Sequence, residues 1–120
     1  MTTGHDMAMA LRAAYWSMHR QTNACLAQHG ATAEQYVVLT LLADEDSITQ
    51  RELCCRASSD PNTIRAILVL LEQRDWIERV PHPTDGRARS VILTRQGHRT
   101  FNKLSKRLKP LQDRILALFS

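Results

Sequence analysis

Two helix beginnings stand almost back to back in the middle of this chain, and together they leave few folds open. Thr49-Gln50-Arg51-Glu52 has the form of a capping box, in which a hydroxyl and an acidic side chain satisfy the first free N–H groups of a helix. Asp60-Pro61 supplies the next start: a capping carboxylate, then a proline at the first helical position, where a missing N–H costs nothing. Between them there is room only for a short polar helix, Gln50–Ala57, and a turn, Ser58-Ser59-Asp60. The second helix runs from Pro61 to about Arg74. Trp76-Ile77-Glu78-Arg79-Val80 and Ser90-Val91-Ile92-Leu93-Thr94 then form the arms of a hairpin around a loop from Pro81 to Arg89. Two helices with a tight turn, followed by a hairpin bearing arginines at its tip, predict a winged helix-turn-helix. Such a unit places one helix in a DNA major groove and a basic loop over the adjacent backbone or minor groove.

The flanks read as helices. Met7, Leu11, Ala14, Met18, Gln21 and Cys25 make one stripe on a long first helix, which stops near His29-Gly30. Thr32-Ala33-Glu34-Gln35 is another capping box, opening a helix to about Ala43 that is apolar nearly all round and should be the buried centre. Ser47-Ile48 could add a short strand edge. Thr94 caps a last helix along which Phe101, Leu104, Leu108, Leu111, Ile115 and Leu118 repeat as a heptad seam, with Pro110 expected to kink or interrupt it. The fold expected is mostly α with a small β-hairpin wing. One unit of residues 1–120 divides into a dimerisation helix (5–30), a DNA-binding region (32–94) and a second dimerisation helix (95–120). Met7, Leu11 and Met18 on the first helix, with the heptad residues on the last, are the expected dimer interface. Packing of these stripes within one chain is the alternative.

Laid out at 100° per residue, the Pro61 helix turns Ile64, Ile67, Leu68 and Leu71 to the core. Its outer face carries Asn62, Ala66, Val69 and Gln73, flanked by Thr63, Arg65 and Leu70. The expected DNA-binding residues are Ser58, Ser59, Asn62, Thr63, Arg65, Ala66 and Val69 on the turn and helix. On the wing they are His82, Asp85, Arg87 and Arg89.

Charge agrees in outline. Residues 1–50 hold two bases against five acids, and residues 51–120 hold fourteen bases against seven acids, so the half containing the helix-turn-helix is the basic one. Cys25, Cys54 and Cys55 are odd in number, which argues against a disulfide framework; small buried side chains are the plain reading and redox sensing the sharper one. No apolar run approaches the ~20 residues that span a bilayer, and the N-terminus lacks signal-peptide regions, so a cytoplasmic protein without membrane contact is expected. The five histidines have no metal-ligand spacing, and neither a positioned nucleophile–base pair nor a phosphate-binding glycine loop occurs. Neither an enzyme nor a metal or cofactor site is expected. Two function classes remain: a sequence-specific DNA-binding regulator, and a winged-helix module whose apolar Ala66, Val69 and Leu70 bind a protein. Arg87 and Arg89 favour DNA.

Asp85-Gly86-Arg87-Ala88-Arg89 with the following Ser90-Val91-Ile92-Leu93-Thr94 resembles the DxR wing of the MarR (multiple antibiotic resistance regulator) family. Thr63-Ile64, Leu71-Glu72 and Trp76-Ile77-Glu78-Arg79 add to the likeness, which covers about residues 5–118. The resemblance implies a homodimeric winged-helix transcription regulator, usually a repressor, on pseudo-palindromic double-stranded DNA. Small phenolic or lipophilic effectors, or oxidants, often release such proteins. It also implies Arg87 at the wing tip in the minor groove, with Asp85 bracing the wing arginines. The chain departs from the family at Ala66, where Arg is frequent, at Asp75, where Gly is common, and at Ser120, beyond which relatives usually continue with another helix.

Overall fold

A computed structural model describes residues 1–45 and 47–118. The elements are α1 (Gly4–Ala27), α2 (Ala33–Asp44), β1 (Ile48–Thr49), α3 (Gln50–Arg56), α4 (Pro61–Gln73), β2 (Ile77–Pro81), β3 (Arg89–Leu93) and α5 (Arg95–Ala117). They divide into two compact units: Met1–Ala33 with Arg107–Ser120, and Glu34–Lys106.

In the first unit, α1 opens on a reciprocal cap not anticipated from the sequence. Thr3 Oγ1 accepts from the Asp6 N–H at 3.0 Å, and the Asp6 carboxylate accepts from the Thr3 N–H at 3.2 Å. The helix ends at Ala27, and Gly30 takes φ 72° just beyond it, a left-handed position that glycine occupies without strain. The Ala33 N–H is met by Asn23 Oδ1 at 2.7 Å, a cap for α2 supplied from α1. Leu26 is the single buried residue of α1, while Met7, Leu11, Tyr15, Trp16 and Met18 are exposed.

The second unit holds a three-stranded antiparallel sheet in the order β1-β3-β2. Its hairpin pairs Ile77 with Leu93 and Pro81 with Arg89, and the edge expected at Ser47-Ile48 exists as β1, with Ile48 opposite Val91 and Thr49 opposite Ser90. The core gathers Leu39 and Leu42 of α2, Leu53 of α3, Ile64, Leu68 and Leu71 of α4, Trp76 just before β2, Ile77 and Val91 of the sheet, and Leu104 of α5. The outcome on α2 differs from expectation, since Val37 is 45% exposed while Val38, Leu39 and Leu42 are buried. One face of this helix is core and the other is surface. On α4 the expected inner face is observed, with Ile67 half-buried at its margin.

Both helices of the pair end in the same way. Beyond α3, the Ser59 N–H reaches the Cys54 carbonyl at 3.1 Å and the Ser58 N–H the Cys55 carbonyl at 3.3 Å, with Ser58 at φ 51°. Beyond α4, the Trp76 N–H reaches the Leu71 carbonyl at 3.1 Å and the Asp75 N–H the Glu72 carbonyl at 3.0 Å, with Asp75 at φ 61°. These are Schellman exits whose left-handed residue is not glycine. Asp75 therefore occupies the conformation glycine would fill, and its carboxylate adds negative charge at the C-terminal end of α4, where the helix dipole disfavours it. Asp75→Gly is expected to raise stability by about 0.5–1 kcal/mol, read as a higher urea midpoint at unchanged slope. A lower midpoint would mean that Asp75 makes a favourable contact.

Helix α5 begins as expected: the Gly97 N–H donates to Thr94 Oγ1 at 3.0 Å. Of the two outcomes expected at Pro110, a kink or an interruption, the interruption does not occur, and α5 continues through it. Proline removes one N–H from the ladder, and because Pro110 is exposed, water can satisfy the carbonyl so released. Along the heptad, Leu104, Leu108 and Leu111 are buried, Phe101 and Ile115 half-buried, and Leu118 exposed. Phe101 stacks on Tyr36 with centroids 5.7 Å apart, and Tyr36 Oη lies 2.9 Å from Ser105 Oγ.

Candidate nucleic-acid interface

The candidate surface lies in the second unit, and pairing of Thr49 with Ser90 builds one edge of it. That register places the residues opening α3 beside Arg89 at the base of the wing. Thr49, Gln50 and Arg51 with His82, Asp85, Arg87, Ala88 and Arg89 line an open groove of about 480 Å³. Sequence reasoning missed Arg51 and Gln50. Their position two or fewer residues past a helix cap was visible, but only the β1–β3 register brings them to the wing.

At the α3 start, Thr49 Oγ1 accepts from the Glu52 N–H at 3.1 Å and donates to Glu52 Oε1 at 3.0 Å. The acid thus meets the threonine hydroxyl instead of the backbone N–H that a full capping box would engage. At the α4 start, Asp60 Oδ1 accepts from the Thr63 N–H at 3.0 Å and Oδ2 accepts from the Thr63 hydroxyl at 2.7 Å. These bonds, the hydroxyl's first, hold the Asp60 carboxyl below the usual carboxylate range. They stabilise the helix start above that range, and their contribution fades as pH falls through the lowered value. They also commit the Thr63 hydroxyl proton to the cap. Asn62, Arg65, Ala66 and Val69 remain on the exposed face, Val69 at 41%, beside Leu70 at 49%.

The wing is organised by two side chains. Asp85 Oδ1 accepts from the backbone N–H of Arg87 at 3.0 Å, so this carboxylate fixes the Arg87 backbone instead of bracing a guanidinium as the resemblance implied. His82 is half-buried, and its Nδ1 accepts from the N–H groups of Asp85 at 3.0 Å and Thr84 at 3.2 Å. The imidazole thus holds the turn as well as lining the groove. Asp85→Asn, which keeps an acceptor oxygen, is expected to preserve the wing, whereas Asp85→Ala frees it. Amide exchange at Arg87 distinguishes them, and equal protection in both variants would remove Asp85 from this role.

The arginines sort themselves. Arg56 is paired with Glu45, which raises its pKa above the ordinary value chiefly through their hydrogen bond, and it also lies 3.8 Å from Glu52. Arg79 lies 3.7 Å from Glu72, and Arg74 sits over the Trp76 ring at 4.8 Å. Arg51, Arg65, Arg87 and Arg89 have no acidic partner among the described residues, and all four are exposed. The charge of this region is nonetheless modest. Residues 51–94 hold seven bases against six acids, and the surplus of the basic half resides in α5. Coincidence of net charge with the helix-turn-helix is therefore corrected to four arginines on its surface that have no acidic partner among the described residues.

Ser58 is exposed and Ser59 half-buried, with their N–H groups used in the α3 exit. None of the three cysteines is buried: Cys25 and Cys54 are half-buried and Cys55 exposed. On α3 only Leu53 points inward, and successive residues turn away by about 100° each. Cys25 Sγ donates to the Arg107 carbonyl at 3.4 Å. Among the described residues, no three His, Cys, Asp or Glu side chains gather as a metal site requires, and no helix is long and apolar enough to cross a membrane.

Comparison with known proteins agrees with this geometry. The model of the MarR family matches residues 31–88. The HTH-type transcriptional regulator TtmR of Methylorubrum extorquens (strain PA1) is 30% identical over 92 residues, covering 77% of this chain and 47% of that protein. The chain spans about half the length of curated relatives such as this one. A mutant of MarR from E. coli, complexed with operator DNA, superposes with a TM-score of 0.80 at 26% identity, over 85% of this chain and 73% of that one. The PcaV transcriptional regulator from Streptomyces coelicolor, in complex with its natural ligand, gives 0.77 at 27% identity, over 99% of this chain and 82% of that one. By fold, wing and sequence, this chain is similar to proteins of the MarR family.

Proposed function

We propose that this chain is a sequence-specific, DNA-binding transcription regulator, acting as a repressor on pseudo-palindromic operator DNA in the cytoplasm. The observation that carries the reading is that four exposed arginines without an acidic partner among the described residues stand at the groove and on α4. Arg51, Arg87 and Arg89 line the groove, and Arg65 stands on the helix. Phosphate contacts from such residues position a duplex, while Asn62, Arg65, Ala66 and Val69 meet base edges. Asn62 and Arg65 can hydrogen-bond bases, and Ala66 and Val69 can pack on thymine methyl groups. Of the expected contacts, Ser58 and Ser59 flank this face, Thr63 supports it, and His82 and Asp85 shape the wing. No catalytic step is proposed.

Homodimerisation through the first and last helices is part of the proposal. Met7, Leu11 and Met18 are exposed, and Leu11, Ala14, Tyr15 and Met18 line an apolar groove of about 410 Å³ with Ile115 and Leu118. Leu104, Leu108 and Leu111 are buried already, so the surface offered to a second copy is narrower than the full heptad. A small-molecule effector or oxidant is proposed as the releasing signal by analogy with the ligand-bound relative.

The exposed Val69 and Leu70 support the second reading, a protein-docking face. Gel-shift titration with a selected duplex separates the two when Val69→Ser is compared with Arg65→Ala. The DNA reading expects Arg65→Ala to relax preference at one position of each half-site, by about 1–3 kcal/mol, and Val69→Ser to cost less. Unchanged DNA affinity in both variants would favour the protein partner.

A further inference from the structure

Most of this chain's positive charge lies outside the candidate interface. Helix α5 carries seven Lys or Arg residues against Asp113 alone, a net charge larger than the +4 of the whole chain. Within the second unit, Arg95, Arg99, Lys103 and Lys106 follow one another at spacings of four, four and three. At 100° per residue they fall within an arc of about 80°, a single stripe roughly 16 Å long. All four are exposed, and none has an acidic partner among the described residues. The opposite face is occupied, with Leu104 buried and Phe101 stacked on Tyr36. Like charges three and four residues apart weaken a helix. A stripe of them without an interleaved acid is not what the stability of α5 calls for.

We infer that this stripe is a second surface for duplex DNA, which takes the phosphates of segments flanking the operator while α4 and the wing read the operator itself. The inference rests on the DNA-binding reading above and extends its footprint. Phosphate contact needs only fixed cations, since a duplex presents one negative charge per ~1.7 Å of axis. An anionic membrane surface fits less well. An interfacial helix inserts an apolar face, whereas here that face is held in the core and the side chains among the cations, Gln96 and Asn102, are polar.

The test compares the parent chain with the double variant Arg99→Gln, Lys103→Gln on two duplexes. One is trimmed to the selected operator, and the other carries about two further helical turns on each side. On the flanked duplex, the slope of log affinity against log salt is expected to fall by about 0.9 for each lost phosphate contact, near two per chain. On the trimmed duplex, parent and variant coincide. Arg87→Ala serves as the control and lowers the slope on both. Equal slopes for parent and variant on the flanked duplex overturn the inference, and so does equal weakening on both duplexes. Charge-dependent sedimentation with phosphatidylglycerol vesicles, coupled with unchanged DNA slopes, reassigns the stripe to a membrane surface. If the parent binds neither duplex, the DNA-binding reading itself falls.

Discussion

Gly97→Ala is expected to destabilise the fold by about 3 kcal/mol or more. A Cβ built at Gly97 lies 1.9 Å from the carbonyl oxygen of Trp76 and 2.9 Å from its carbonyl carbon, with Leu93 Cδ2 at 3.2 Å. The obstruction is backbone, and that backbone is pinned. The Trp76 N–H closes the α4 exit, and the Trp76 carbonyl accepts from the Thr94 N–H at 3.1 Å. Thr94 in turn caps α5 through Gly97 and donates its hydroxyl proton to the Asp75 carbonyl at 2.5 Å. No part of this junction can move without breaking a hydrogen bond. Gly86→Ala is the matching control, because nothing lies within 4 Å of its Cβ, and it should stay within about 0.5 kcal/mol of the parent. Urea unfolding followed by circular dichroism reads both. Equal midpoints for the two variants would refute the packing described at Trp76.

Arg87→Ala is expected to reduce operator affinity by ten- to a hundred-fold while leaving the unfolding midpoint unchanged. The side chain is exposed, and the turn that carries it is held by Asp85 and His82, so its removal takes away a charge and little packing. A minor-groove arginine contributes both a phosphate-range attraction and a preference for narrow A·T-rich grooves. The salt slope should fall by about one unit for each chain. Parent-like binding across a salt titration would remove the wing from the interface.

The helix-turn-helix was legible because its boundaries are written in side chains that act locally. Asp60-Pro61 starts α4, Thr94 starts α5, and Gly30 takes the left-handed position after α1. Asp75 was harder to read, since a Schellman exit follows from backbone hydrogen bonds that an aspartate does not advertise. Pro110 signals a kink or a break in sequence, but α5 continues past it on an exposed face, where water can satisfy the carbonyl so released. Arg51 joins the wing only through the pairing of Thr49 with Ser90, a contact across forty residues that no local pattern encodes. The turn-holding roles of Asp85 and His82 were not foreseen, for a related reason. A short polar side chain on a loop can point at a guanidinium or fold back onto an N–H, and only the loop's geometry decides. Charge misled most, because summing over residues 51–120 merged a nearly neutral helix-turn-helix and wing with a strongly basic α5.

If two copies of this chain read inverted half-sites with α4, selection of bound duplexes from a random pool by the purified chain enriches two inverted half-sites. Their centres lie about one helical turn apart, roughly 10 bp, with thymines beneath Ala66 and Val69. Arg65→Ala should lose preference at one position in each half. Recovery of no enriched motif, or of a single unpaired site bound by one chain, would contradict that reading.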